Sequence, residues 1–361
     1  MVTRGEAPSL REVATHAGVS HQTVSRVING SSKVTEATRG RVRAAIDELG
    51  YRPNSLARAL AHGRSQRIGV LVGNSDQHGP VSTMQGLERA ARHHGYAPTT
   101  YSFRTLEELR SGVDFMLGQR VDGLAVITPH DAALAALHGA DLPEATLLVG
   151  AGPRAASRLH RPSIQIDQAG GARVAVEHLI GLGHERIAHL AGPDDWYDGH
   201  ERRRQWAQTL TAAGLAVPPL IEGDWRPDSG HAAADAVLRS GATAVFVAND
   251  QMALGLVHGL AERGASVPAD ISVVGFDDLP ESAHFLPPLT TVHQDFGTLG
   301  EEAVRLLLGE TDDDLDGAND GAGNAEDTGD SEGSGFDHSG GEHLRPWLVE
   351  RESTRRLTAT D

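Results

Sequence analysis

From residue 68 onward the chain alternates short, continuous apolar runs with amphipathic stretches, and that rhythm limits what it can fold into. The runs Ile68–Val72, Gly123–Thr128 and Ala145–Ala151 alternate with helical patterns near 81–94, 104–118 and 130–138. After Ser163–Asp167 the rhythm restarts, with helix 168–182, Ile187–Gly192, helix 200–213 and a strand near 220–225. It continues through helix 229–240, Ala244–Ala248, helix 251–264 and Ser272–Phe276. Strands that are apolar throughout must be covered on both faces, which repeated βαβ units achieve with a parallel sheet between helices. Two such sets, parted near 164–167, predict an α/β core of two doubly wound parallel-sheet lobes.

The first 50 residues have a different texture, predicting an all-α head. Leu10, Val13, Ala14 and Ala17 share one helical face, Gly18 permits a tight turn, and Ser20 suits the N-cap of a second helix with Val24, Val27 and Ile28 inward. That helix stops at Asn29-Gly30. Thr35 is placed to cap a third, whose stripe is Val42, Ala45, Ile46 and Leu49 and whose end is Gly50.

Charge separates these regions. The net charge of −17 argues against nucleic acid until it is resolved along the chain. Residues 1–67 carry eleven Arg/Lys against five Asp/Glu, whereas residues 310–342 carry twelve Asp/Glu and no Arg/Lys. A basic head on an acidic body is the asymmetry of a DNA-binding module joined to something else. The Gly-, Asp- and Ser-rich stretch 310–342 has too little apolar area to offset the cost of ordering it, and reads as a disordered acidic insert. There is no cysteine, which excludes disulfides and thiolate metal sites. His184 and His189 are isolated between glycine and apolar residues, so no metal and no cofactor are expected. The N-terminal stretch lacks a signal-like apolar run and no run is long enough for a membrane, so the expected location is cytoplasmic, on the nucleoid.

A tight turn after a packed helix, then a second helix with a hydrogen-bonding outer face, is helix–turn–helix geometry. With Val24, Val27 and Ile28 inward, His21, Gln22, Ser25 and Arg26 face outward near the helix start. Gln can bond adenine bidentately and Arg guanine, while Ser20, Thr23, Ser25, Asn29, Lys33, Thr35 and Thr38 suit phosphate oxygens. Tyr51 and Asn54 complete this candidate DNA-binding set. The plainer reading is a three-helix packing unit with a polar surface.

In open α/β sheets, ligands sit beyond the carboxyl ends of strands. Asn249-Asp250 follow AVFVA, Asp277-Asp278 follow SVVGF, Asp76 lies after IGVLV, Arg202 opens the helix after IAHLAGP, and Trp225 ends IEGDW. Carboxylate, amide and guanidinium groups can bond sugar hydroxyls, and an indole can cover a sugar's apolar face. Each Asp also suits a helix N-cap, and Trp225 suits core packing.

The stretch LREVATHAGVSHQTVSRVINGSSKVTEATRGRVRAAIDELGYRPNSLARALAHGRS resembles the N-terminus of the lactose/galactose repressor family (LacI/GalR). The similarity runs from Leu10 to about residue 309 and resumes at 344–354. It implies that Asn54–Ala61 is a hinge helix formed when two subunits meet on DNA, with Ala57 and Leu60 in the minor groove and Leu60 wedged between base steps. In the second lobe, AVEHLIGLGHERIAHLAGP, EGDW, VANDQMALG, ISVVGFDD and PPLTTVHQDF resemble the lactose-responsive branch. Carried over by position, Arg202, Asn249 and Asp277 hold sugar hydroxyls. Trp225, Phe296 and Leu299 form an apolar wall, and Gly79, Pro80 and Thr83 line the opposite lobe. Three positions depart from that pattern. Gly150 replaces an acidic ligand, Gln77 an apolar wall residue, and Ile166 an aromatic, which points away from galactosides while keeping a carbohydrate as the implied effector.

The expected organisation is a DNA-binding head at 1–53, a hinge and linker at 54–67, lobe one at 68–166 plus 295–309, lobe two at 167–294 plus 343–355, and the insert at 310–342. The expected function is a homodimeric transcriptional regulator, a repressor whose grip on a pseudo-palindromic double-stranded operator is relieved by a small carbohydrate between the lobes. An activator or a nucleobase-responsive repressor are alternatives within the family, although His78 is the one ring expected near the lobe-one cleft. An enzyme is not expected, because Asp277 and Asp278 point to opposite faces of a strand and no HExxH or Walker loop occurs. A periplasmic solute-binding protein would share the two lobes but lack the basic head. Without leucine heptads after Leu357, a dimer is expected rather than a tetramer.

Overall fold

The computed structural model describes residues 8–28, 31, 33–52, 64–73, 76–128, 130–309 and 342–357. The chain divides into two compact units, Met1–Gln66 and Arg67–Asp361.

The first unit holds α1 (Leu10–Ala17), α2 (His21–Ile28) and α3 (Glu36–Leu49). The Ser9 side chain accepts from the Glu12 amide while the Glu12 carboxylate accepts from the Ser9 amide, a capping box that stabilises α1 by about 1 kcal/mol. Gly18 then takes φ +64, which a Cβ would disfavour, and turns the chain into α2. Ser20 Oγ accepts from the Thr23 amide at 3.2 Å, closing the first turn of α2. Thr35 occupies the N-cap position of α3, but its hydroxyl donates to Thr38 Oγ1 at 3.0 Å and accepts no helix amide. Val13, Ala14, Ala17, Val24, Val27, Val42 and Ala45 form the core, with Leu10, Ile28, Ile46, Leu49 and Tyr51 packed around it. The expected hinge helix falls outside the described residues.

The second unit is built on two six-stranded sheets. The first comprises β1 (Arg67–Gly73), β2 (Ala97–Phe103), β3 (Gly123–Ile127), β4 (Thr146–Val149), β5 (Ser163–Ile166) and β11 (Glu342–Leu344), in the order β11-β5-β4-β3-β1-β2, all parallel. The second comprises β6 (Ile187–Ala191), β7 (Ile221–Glu222), β8 (Ala244–Val247), β9 (Ser272–Asp277), β10 (Thr290–His293) and β12 (Trp347–Val349), in the order β12-β10-β9-β8-β6-β7. Only β12 runs antiparallel to its neighbour in that sheet. Helices α4 (His78–His93), α5 (Leu106–Gln119), α6 (Asp131–Ala136) and α7 (Pro153–Leu159) follow successive strands of the first sheet. Helix α8 (Gln168–Gly181) leads into β6, α9 (Tyr197–Ala212), α10 (Pro227–Ser240) and α11 (Asp250–Glu262) follow successive strands of the second sheet, and α12 (Phe296–Leu308) returns to the first. Each sheet is coated on both faces by apolar clusters, as continuous apolar strands require.

The chain crosses between sheets three times: from β5 to α8, from β10 to α12, and from β11 to β12. Asp167 caps α8, its Oδ1 accepting from the Gly170 amide at 2.8 Å. Asp295 caps α12, its carboxylate accepting from the Thr298 amide and hydroxyl. The Asp167 amide donates to the Leu344 carbonyl at 2.9 Å, tying the first crossing to the third.

The structure corrects the sequence reading in four places. β2 was not expected, because its Pro98 and threonines suit an edge strand whose outer ladder is unpaired. Neither β10 nor α7 was expected, both being short. Residues 343–355, expected in lobe two, divide at Arg345-Pro346, so His343 and Leu344 extend the first sheet and Trp347–Val349 the second.

Candidate effector crevice and DNA-reading helix

The crevice lies between the carboxyl ends of the two sheets. One part is lined by Gly79, Pro80, Thr83, Ile127, Thr128, Val149, Gly150, Ile166, Gln168, Asp198, Phe296 and Leu299, and encloses about 400 Å³ of space open to solvent. A second, of about 350 Å³, shares Gly79, Pro80, Asp198 and Phe296 and adds Gln77, Trp196, Arg202, Trp225, Asp277 and Gln294. This is where the strand order of a doubly wound sheet predicts a ligand.

Its floor is a closed ring of four buried side chains. Arg202 Nε donates to Gln168 Oε1 at 2.9 Å, Gln168 Nε2 to Gln294 Oε1 at 2.8 Å, and Gln294 Nε2 to Asp277 Oδ1 at 2.6 Å. Asp277 Oδ1 lies 3.7 Å from Arg202 Nη1, which completes the circuit. Arg202 is 3% exposed, Gln168 6%, Gln294 4% and Asp277 8%, so the ring is dry enough for each polar atom to need its partner. Arg202 also donates to the Ala248 carbonyl and lies 3.8 Å above the Phe276 ring. Burial draws the Arg202 pKa down, and Asp277, Asp198 and Asp250 oppose that. Burial pushes the Asp277 carboxyl up to about 7, against the pull of Arg202 and the Gln294 hydrogen bond. Gln168 and Gln294 sit at the first two crossings, so the ring joins the binding floor to the segments on which the lobes would pivot.

The walls are aromatic on one side and apolar on the other. Trp225 is buried at φ +73, with Trp196 edge-on at 5.4 Å and the Arg202 guanidinium 5.6 Å from its ring. Gly192 lets this indole in, since a Cβ there would collide with it. Opposite, Phe296 packs edge-on to His78 at 5.5 Å, and the Thr83 hydroxyl donates to the Gly79 carbonyl at 2.9 Å. Burial raises the Asp198 carboxyl, although Arg202 lowers it. At the mouth, His130 stacks edge-on against Trp196 at 4.9 Å, and Asp76 pairs with Arg226 at 3.8 Å.

Of the expected effector residues, Gln77, Gly79, Pro80, Thr83, Arg202, Trp225, Asp277, Phe296 and Leu299 line this crevice. Asp76 is placed in the rim pair with Arg226 instead. Asn249 is the N-cap of α11: its Oδ1 accepts from the Met252 amide at 2.9 Å and its Nδ2 donates to the Trp225 carbonyl at 3.0 Å. Each end of its amide thus makes an internal bond, one of which holds the Trp225 carbonyl. Asp250, next along, accepts from Ser282 Oγ, Thr291 Oγ1 and the Leu279 amide, three internal bonds that make it a buried brace. Asp277 and Asp278 have separate partners, Asp278 pairing with His293 at 2.9 Å and Arg351 at 2.7 Å. Sequence reasoning missed Gln168, Gln294, Trp196 and Asp198. Their position at crossings and strand ends was the available signal.

In the head, His21, Gln22 and Arg26 are exposed on one side of α2, with Ser25 and Thr23 half-buried beside them. Gln22 and Arg26 are four residues apart, so one face presents an amide and a guanidinium. Lys33 and Thr35 are exposed, Thr38 is half-buried, and Tyr51 packs on the head core. Asn29, Asn54, Ala57 and Leu60 lie outside the described residues.

Residues 9–54 match the model of the lacI family of bacterial regulatory proteins, and residues 176–320 match the periplasmic binding protein-like domain. The lactose operon repressor of Escherichia coli K12 is 38% identical over 307 residues, covering 83% of this chain and 84% of that protein. The chain belongs to the lacI family. Another lacI-family relative, the transcriptional regulator CelR of Thermobifida fusca, is 37% identical over 317 residues, covering 84% of this chain and 92% of its own. The lac repressor dimer bound to operator and the anti-inducer ONPF superposes with a TM-score of 0.78 at 34% identity, covering 97% of this chain and 100% of that one. The CelR–cellobiose complex gives 0.64 at 32% identity, covering 96% and 99%. This lacI-family chain is thus a DNA-binding transcriptional regulator with a ligand-binding core, and not an enzyme. Among the described residues, no helix is long and apolar enough to cross a membrane.

Proposed function

We propose that the chain is a cytoplasmic, nucleoid-associated repressor that binds a pseudo-palindromic operator as a homodimer and releases it when a small carbohydrate enters the crevice. The observation that carries this reading is the buried Arg202–Gln168–Gln294–Asp277 ring beneath two tryptophans. Its charged and amide groups suit vicinal hydroxyls, and the indoles suit the apolar face of a sugar ring. The CelR–cellobiose complex supports the same ligand class. Gly150 takes φ +74 with open space around it, so lobe one offers room and no carboxylate at that point. This points away from a galactoside while keeping a carbohydrate as the ligand class.

Each α2 would read one half-site, about 34 Å from its partner's. A sugar that prefers one lobe arrangement would lower operator affinity by its differential affinity for the two arrangements. Fluorescence anisotropy on the operator upstream of the neighbouring genes tests this. Addition of the cognate mono- or disaccharide should weaken binding at least ten-fold. Unchanged affinity across gluco- and galacto-configured sugars would refute the inducer.

A further inference from the structure

We propose that His231, His258 and Glu262 form a surface site for a divalent transition-metal ion on lobe two, separate from the crevice. Among the described residues these are the only three His, Asp or Glu side chains whose ligand atoms all lie within 4.8 Å of one another. His231 Nε2 is 2.7 Å from one Glu262 oxygen and His258 Nε2 is 3.4 Å from the other. The two imidazoles have centroids 5.2 Å apart. Ligand atoms around a tetrahedral zinc ion are about 3.3 Å apart, given bonds of about 2.0–2.1 Å. Closing the trio onto an ion therefore takes small movements of exposed or half-buried side chains, with no backbone change.

The fold explains why the trio meets. His258 and Glu262 are one turn apart on α11, and His231 lies in the first turns of α10. The two helices approach closely because Gly230, Gly255 and Gly259 remove the side chains between them. A Cβ on Gly255 would strike the Pro227 carbonyl, one on Gly230 the Met252 carbonyl, and one on Gly259 would lie 2.6 Å from the His231 carbonyl. The backbone beneath the trio is accordingly rigid, which lowers the cost of organising it for a metal. Beside the trio, Arg263 is paired with Asp235 through two bonds of 2.7 and 3.0 Å. Two imidazoles and one carboxylate, with a further position open to water, suit Zn²⁺, Ni²⁺ or Cu²⁺ over Ca²⁺ or Mg²⁺. Sequence spacing conceals the set, because His231 is remote from His258 along the chain.

Zinc alone is the probe. The untagged full chain, stripped with a chelator, is titrated with ZnCl₂ by calorimetry, with CaCl₂ as the counter-titration. Saturable binding of one equivalent is expected, weakened at least ten-fold by His231→Ala and by His258→Ala, and less by Glu262→Gln. Because the chain has nineteen histidines, Co²⁺ absorption supplies an independent readout, with visible bands expected in the parent and lost in the double histidine variant. Operator binding and melting temperature of that variant report whether it is folded. No saturable zinc binding, or binding and Co²⁺ bands that survive the double substitution, would overturn the site.

Discussion

The two sides of the crevice are built from different materials. Lobe one contributes Pro80, Ile127, Val149, Ile166 and Leu299 with the small Gly79 and Gly150, and its hydrogen-bonding groups are few. Lobe two contributes Arg202, Asp277, Asp198 and two tryptophans, and the crossings add the paired glutamines. Burying a guanidinium and a carboxylate is costly unless both are fully bonded, so the second lobe must be organised before any ligand arrives. The first lobe needs only to be the right shape. The difference assigns orientation and response to lobe two, and size selection to lobe one.

The strongest way to break that contrast is Arg202→Ala. It leaves Asp277 buried without its cation and Gln168 without a donor, and should cost about 3–5 kcal/mol of stability together with nearly all sugar affinity. Chemical denaturation and calorimetry measure the two effects. Arg202→Lys retains charge but not the planar fork, and should recover stability more than affinity.

Next in size is an effect of pH centred on His189 in lobe two. His189 stacks on Phe246 at 4.7 Å, bonds its carbonyl through Nδ1 at 2.9 Å, and is held neutral by burial, its pKa lowered to about 3. The unfolded chain takes up a proton there from about pH 6.5 downward while the folded chain refuses it. Stability from this group is therefore complete above pH 6.5 and is lost as pH falls toward 3. Between pH 6.5 and 5 the loss should be about 2 kcal/mol. Because Asp250 and Asp277, both raised to about 7, act in the opposite direction over the same interval, the readout is a difference: in urea denaturation the stability of the parent relative to His189→Phe should fall by about that amount between pH 6.5 and 5.

Cutting the ring at a crossing has a smaller expected cost. Gln294→Leu removes the donor to Asp277 and the acceptor for Gln168, and should destabilise the fold by about 2 kcal/mol. If the ring links ligand to lobe arrangement, sugar binding in this variant should change operator affinity less than in the parent. Equal coupling would show that the crossings respond without the ring. The smallest effect belongs to lobe one. Thr83 spends its hydroxyl on the Gly79 carbonyl within α4, so Thr83→Val should change stability by under about 1 kcal/mol while altering which sugars fit.

Much of this architecture was legible in the residues, and the exceptions have physical causes. Leu10–Ala17 and Gly18 delimit α1 because an apolar period of 3.6 and a left-handed turn are local properties. The apolar runs of both sheets were legible for the same reason. β2 was not, because an edge strand carries no continuous apolar signal. The break at Arg345-Pro346 was hidden because nothing local says that adjacent short strands join different sheets. In the crevice, Arg202, Trp225 and Asp277 announced themselves as charged or aromatic groups at strand ends. Gln168 and Gln294 did not, since an amide acquires a role only when a partner 126 residues away is brought within 2.8 Å. Asn249, conspicuous in the sequence as a candidate ligand, also caps a helix and holds the Trp225 carbonyl, two roles that only the fold reveals.

The account turns on whether the ring beneath the tryptophans senses a sugar and passes that information to DNA affinity. The most direct measurement is operator affinity of the parent and of Arg202→Ala, each titrated with the cognate carbohydrate. The parent should lose affinity at least ten-fold while the variant, still binding operator, stays unresponsive. A variant that responds as the parent does, or a parent indifferent to every carbohydrate, would contradict it.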